Sequence, residues 1–212
     1  MGDVSYISYV LSAIELLASI VATLHFRKYQ FSTEKWFLYF LWYTFLIDTT
    51  GLILKIFSLS SFWLYNIFTI SSFLFFYFWY YTVLQSKRFK NLVRLLTLFY
   101  LITVLLTNAF ETLSNQGYAF FIGAIFLLLL ILMHFNQLLN SNEVVIIKYK
   151  LSFWISTALL LFYIGILPLM LLGKYIDVKG EYFNVILLSL NVILYGCYII
   201  GFIWTKQKYN RF

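Results

Sequence analysis

The chain has 212 residues, of which 63% are hydrophobic and 11% charged, with a mean hydropathy of +0.88. Soluble proteins carry about 25% charged residues, and a chain of this length has too little interior to hide so much apolar surface, which excludes a water-soluble globular enzyme or binding domain. The net charge of +7 would suit nucleic acid, but its placement beside long apolar runs points instead to anionic lipid headgroups.

Those runs cover residues 4–26, 36–57, 62–84, 92–110, 118–139, 151–172 and 183–204. At about 1.5 Å per helical residue each is long enough for a bilayer core of about 30 Å. The expected fold is therefore all-α: a polytopic membrane protein, a bundle of seven transmembrane helices forming one domain over 1–212, with no stretch left for a soluble domain. The first run has no basic residues before it, exceeds the length of a signal-peptide core and carries Glu15 at its middle, so it is expected to stay in the mature chain. Cys197 is the single cysteine and forms no internal disulfide.

If the seven runs alternate, Arg27, Lys28, Lys35, Lys87, Arg88, Lys90, Arg94, Lys148, Lys150, Lys206, Lys208 and Arg211 share one side. The other side holds Lys174 and Lys179 with Asp177 and Glu181, and Asp3 and Glu111 on its remaining segments. The positive-inside rule then predicts an outer N-terminus and a cytoplasmic C-terminus, in the cytoplasmic (inner) membrane of a bacterium, with anionic lipids at the cytoplasmic face. Trp36, Trp63, Trp154 and Trp204 fall at the ends of runs, where indole rings prefer the headgroup level.

In chain order, the first run places Ser5, Ser8, Ser12, Glu15, Ser19 and Thr23 at intervals of three and four, on one helix face. Small polar residues in such a stripe let another helix approach closely. The second run repeats the spacing with Thr44, Asp48, Gly51 and Lys55. On the predicted orientation Glu15 and Asp48 lie at nearly the same depth, and Lys55 leans back toward Asp48 because helical side chains tilt toward the N-terminus. The three residues are expected to form an intramembrane ionisable cluster in the outer half of the bundle. Two carboxyls brought close share one proton between them. The plainer alternative is a buried ion pair that only fixes helix register. Asn66 and Thr69 in the third run, Thr107 in the fourth and Asn191 in the seventh join Ser12 and Thr44 as candidate lining of an outward-facing cavity. Against this stands the reading that such groups merely bond neighbouring helices.

His25 and His134 have no Cys, Asp or Glu three or four positions away, so they are read as interfacial histidines and no metal is expected. Pro168, three residues after Gly165, predicts a kink. Residues 140–150 read as an interfacial connector. A shift of 118 residues aligns Trp36 with Trp154, Asn66 with Asn184 and Tyr77 with Tyr195, a faint three-one-three repeat.

The stretch Leu64-Tyr65-Asn66-Ile67-Phe68-Thr69, following an acidic residue in the preceding run, resembles uncharacterised seven-helix integral membrane proteins of flavobacteria-like bacteria. That resemblance implies a fold and no activity. A retinal protein would need a lysine within the seventh run, and sugar-transporting seven-helix proteins carry Pro-Gln turns; residues 183–204 hold no lysine, and Pro168 is the only proline. Three functions are left. The first is a non-enzymatic receptor-like or regulatory module acting through a protein partner or self-association. The second is a small proton- or ion-coupled transporter using the intramembrane carboxylates. The third is an intramembrane hydrolase built on the carboxyl pair. No cofactor and no nucleic acid is expected.

Overall fold

Where no water is present to bond the backbone, an apolar run satisfies its N–H and C=O groups within its own segment by becoming a helix. A computed structural model of the protein, describing residues 6–110, 117–140, 144–171 and 181–210, and no side chain at 108–110, 144–145 or 181–182, follows that rule. Among the described residues seven α-helices are long and apolar enough to cross a membrane. They are α1 (Tyr6–Leu24), α2 (Lys35–Ile56), α3 (Phe62–Val83), α4 (Lys87–Phe110), α5 (Gly117–Leu139), α6 (Leu151–Leu171) and α7 (Glu181–Trp204). All seven predicted runs are recovered. The largest difference is α4, which starts at Lys87 rather than 92, because Lys, Arg and Asn continue a helix into the headgroup zone without having to be apolar. Predicted features at Asp3, Ser5, Glu111, Lys174, Asp177, Lys179 and Arg211, residues 141–143 of the connector, and the Glu181 side chain, lie outside the described residues.

The chain divides into two compact units. The middle unit, Leu46–Ser141, holds the second half of α2 with α3, α4 and α5; α3, α4 and α5 pack on one another in all three pairings. Its core is aromatic. Phe73 and Tyr77 of α3 both meet the Tyr100 ring of α4 at 5.5 Å between centroids, edge to face. Gly123 of α5 makes this approach possible: a Cβ there would stand 2.8 Å from Phe73 Cδ2 and 2.9 Å from Tyr100 Cε2. The Tyr77 hydroxyl donates to the Gly123 carbonyl at 2.9 Å. His134, read from sequence as interfacial, is instead 1% exposed inside α5, against the Tyr80 and Trp79 rings at 5.8 and 6.3 Å. Helix α2 ends in a Schellman turn: Leu59 N–H bonds Leu54 O at 2.8 Å and Ser58 N–H bonds Lys55 O at 3.0 Å, with Ser58 left-handed at φ 58°.

The terminal unit joins Val4–Phe45 to Asn142–Phe212. Here α6 packs along α7, and α7 along α1. The small residues Ala18, Ser19 and Ala22 of α1 are fully buried, so the polar stripe read from the sequence includes a close-packed seam. The first half of α2 joins through Phe37, whose ring meets Tyr198 at 4.8 Å, and through Trp42, whose Nε1 donates to Thr23 Oγ1 at 3.1 Å. Pro168 lies inside α6, which continues to Leu171. Trp36, Trp63 and Trp204 are about half exposed at helix ends, as rings at the headgroup level should be.

The glycines generate a paired test by thermal unfolding in detergent. Gly123→Ala forces a methyl into two ring contacts and should destabilise by about 1–3 kcal/mol. Gly196→Ala in α7, where an added Cβ meets nothing within 4 Å, should instead stabilise by up to about 1 kcal/mol.

Candidate functional site

Helix α1 carries one carboxyl inward. Glu15 is 3% exposed, and the Tyr195 hydroxyl of α7 donates to its Oε1 at 3.1 Å. The pairing is set by periodicity: Ala18, Ser19 and Ala22 lie three, four and seven residues beyond Glu15, so the seam that draws α7 close also carries the carboxyl inward. Ser19 Oγ donates back to the Glu15 carbonyl at 2.9 Å, keeping that hydroxyl satisfied. A buried acid and a phenol thus join α1 to α7.

The other predicted site residues are placed as follows. Ser12, Thr44 and Asn191 belong to the terminal unit with Glu15. Thr44 is buried and its Oγ1 donates to Phe40 O at 3.0 Å, while Asn191 Nδ2 donates to Leu187 O at 2.8 Å; Ser12 is half-buried. Asp48, Lys55, Asn66, Thr69 and Thr107 belong to the middle unit. Asp48 is half-buried and Lys55 exposed, beside the turn that closes α2. Thr69 Oγ1 bonds Tyr65 O at 2.8 Å and Thr107 Oγ1 bonds Thr103 O at 3.0 Å. Of the six predicted cavity-lining residues, Thr44, Thr69, Thr107 and Asn191 thus each donate to a carbonyl one turn back in their own helix, a local arrangement that needs no partner helix. Gly51, on the same predicted face as Asp48, is buried beneath Tyr65: a Cβ there would collide with Tyr65 Oη and lie 2.8 Å from its Cζ. Its role is to admit that ring. Among the described residues no group of three or more His, Cys, Asp or Glu is placed to hold a metal ion.

A second polar assembly, at the basic end of the terminal unit, escapes the sequence reading. The Lys28 ammonium donates to the Ile203 carbonyl at 2.6 Å, occupying an acceptor that the end of α7 leaves over. Tyr29, 1% exposed, donates its hydroxyl to Ala22 O at 2.6 Å. From the other side Asn210 Oδ1 accepts the first N–H of α6, Leu151 N, at 3.0 Å, acting as an N-cap from 59 residues away, while its Nδ2 bonds Lys206 O at 2.9 Å. Thr205 Oγ1 and Lys206 N both donate to Tyr149 O, and the Lys206 ammonium lies 4.2 Å from the Tyr149 ring centroid. Glu34 and Lys150 are inside this assembly, 1% and 8% exposed. Lys150 is therefore not the headgroup-facing cation expected of it. Burial raises the Glu34 pKa, opposed less strongly by Ser32, its own backbone and the Lys150 charge; burial also lowers the Lys28 pKa. The sequence signal that would have drawn attention to Glu34 is its position as a lone acid among Arg27, Lys28 and Lys35, directly before the first turn of α2, where a negative charge suits the helix dipole.

Comparison with known protein families, with curated proteins and with solved structures gives no match. The fold itself defines the class: an all-helical, multi-pass integral membrane protein.

Two measurements check the basic-end assembly. Asn210→Ala leaves the α6 N-terminus without its cap and should cost about 1–2 kcal/mol, a fall of about 2–8 °C in Tm for a chain of this size. Because the folded-state pKa of Glu34 is raised above the ordinary value of 4.5, its contribution is fully present below that pH and is lost as pH rises through the folded pKa. Wild-type Tm should therefore decline with pH above the ordinary carboxylate range, and Glu34→Gln, neutral throughout, should show a flatter profile.

Proposed function

We propose that the protein is a non-enzymatic, receptor-like or regulatory module of a bacterial cytoplasmic membrane, with its N-terminus outside, its C-terminus in the cytoplasm and its basic end against anionic lipid. The observation that supports this reading is the buried Glu15, bonded across the α1–α7 seam to Tyr195. An ionisable group inside a membrane bundle is costly to keep and marks function before packing. On this reading Glu15 marks the polar site that faces outward, and a small ligand or a proton there competes with the Tyr195 hydroxyl for the carboxylate. The consequence is carried along α7, whose far end is gripped by Lys28, to the basic end, where a partner protein or a second copy of the chain reads it.

A second reading, a proton- or ion-coupled transporter, is favoured by the same carboxyl. The two separate in one set of experiments. With Cys197 replaced by Ser, a fluorophore on Gln207→Cys in lipid nanodiscs should report a pH-dependent change with a single midpoint, lost in Glu15→Gln and shifted in Tyr195→Phe, while liposomes holding the protein and a pH dye show no proton flux. Both variants should remain folded, because one interhelical hydrogen bond in a membrane is worth about 0.6 kcal/mol on average. A flat fluorophore response together with Glu15-dependent flux would replace the receptor reading with the transporter.

A further inference from the structure

We propose that the groove between α3 and α4 is a binding site for one anionic phospholipid, with an acyl chain along the groove and the phosphate at Arg94. The groove encloses about 370 Å³ and lies wholly within the middle unit. Its walls are Leu74 and Phe78 of α3 and Val93, Leu98 and Leu101 of α4, closed at the basic end by Tyr81 and Arg94. From Arg94 to Leu101 it runs about 10 Å along the helix at 1.5 Å per residue, room for the upper half of a fatty acyl chain. Phe78, Leu98 and Arg94 are exposed, so hydrocarbon has access along the whole length.

The occupant follows from charge. Arg94 stands two residues inside the apolar run that begins at 92, where a long basic side chain reaches back to the headgroup level. Its Nη2 donates to the Tyr81 hydroxyl at 2.5 Å and its guanidinium lies 5.1 Å from the Tyr81 ring centroid. The Lys90 ammonium lies 5.5 Å from the same ring, so two cations converge at one end of an apolar trough. The Tyr81 bond uses one of the five guanidinium N–H donors, and the planar fork suits two oxygens of a phosphate. Lys87 and Arg88 add two more cations in the first turn of the same helix, and the sequence has no Asp or Glu between Asp48 and Glu111. A zwitterionic lipid brings its own cation to this cluster; an anionic one does not. The site shares no residue with the Glu15 pair and stands whether or not that pair senses anything.

The test is native mass spectrometry of the detergent-purified full chain titrated with phosphatidylglycerol or phosphatidylethanolamine of identical acyl chains. One phosphatidylglycerol should be retained at least fivefold more tightly than phosphatidylethanolamine. Arg94→Ala should weaken it by about five- to tenfold. Leu98→Trp, which fills the trough and leaves all four cations, should weaken it as much, while Lys148→Ala, outside this unit, should change it less than twofold. Glycerophosphate without acyl chains should not compete, which separates lipid from free phosphate. Equal retention of the two lipids, or wild-type retention in Leu98→Trp, overturns the proposal; if Arg94→Ala does not fold, the Leu98→Trp and glycerophosphate arms decide it alone.

Discussion

A hydroxyl or amide in hydrocarbon that meets no acceptor costs several kcal/mol, and the arrangement of polar side chains in this chain follows from that single penalty. Thr44, Thr50, Thr69, Thr97, Thr103 and Thr157 each give their hydroxyl to the carbonyl one turn earlier in the same helix. Six potential sources of interhelical attraction are thereby turned inward on their own helices. Helix association is left to close packing at small residues, Gly123 under two rings in one unit and Ala18 and Ala22 in the other, and to the few polar bonds that do cross between helices.

In the terminal unit such bonds lie at two depths. Inside the bundle a carboxyl meets a phenol. At the basic end the surplus carbonyl of α7 and the first amide of α6 are met by Lys28 and Asn210, from a connector and from the segment that follows the last helix. Helix α7 thus meets the carboxyl of α1 along its length and is bonded by Lys28 at its basic end.

Much of the fold was legible because bilayer thickness and hydrocarbon polarity leave little choice: an apolar run of about 20 residues has to be a helix, and its ends are marked by Lys, Arg and Trp. The direction of Glu15 was legible because Ser8, Ser12, Ser19 and Thr23 share its face, although the alanines that close the seam were not singled out. Neighbours were not. Seven similar apolar faces carry no label saying which meets which, and nothing in the sequence signals Tyr195, some 180 residues on, as a donor to Glu15. His134 and Lys150 were misread because a polar side chain near a helix end is ordinarily wet; here aromatic rings cover the first, and the second is buried in the terminal unit. The role of Asn210 depends on a contact far along the chain that periodicity cannot express.

The pairing of the first helix with the last also dictates an order of assembly. The middle unit is built largely of consecutive helices and has its partners at hand soon after each enters the bilayer. Glu15 is inserted about 180 residues ahead of Tyr195, so at 5–20 residues per second of synthesis it waits on the order of 10–40 s for its native donor.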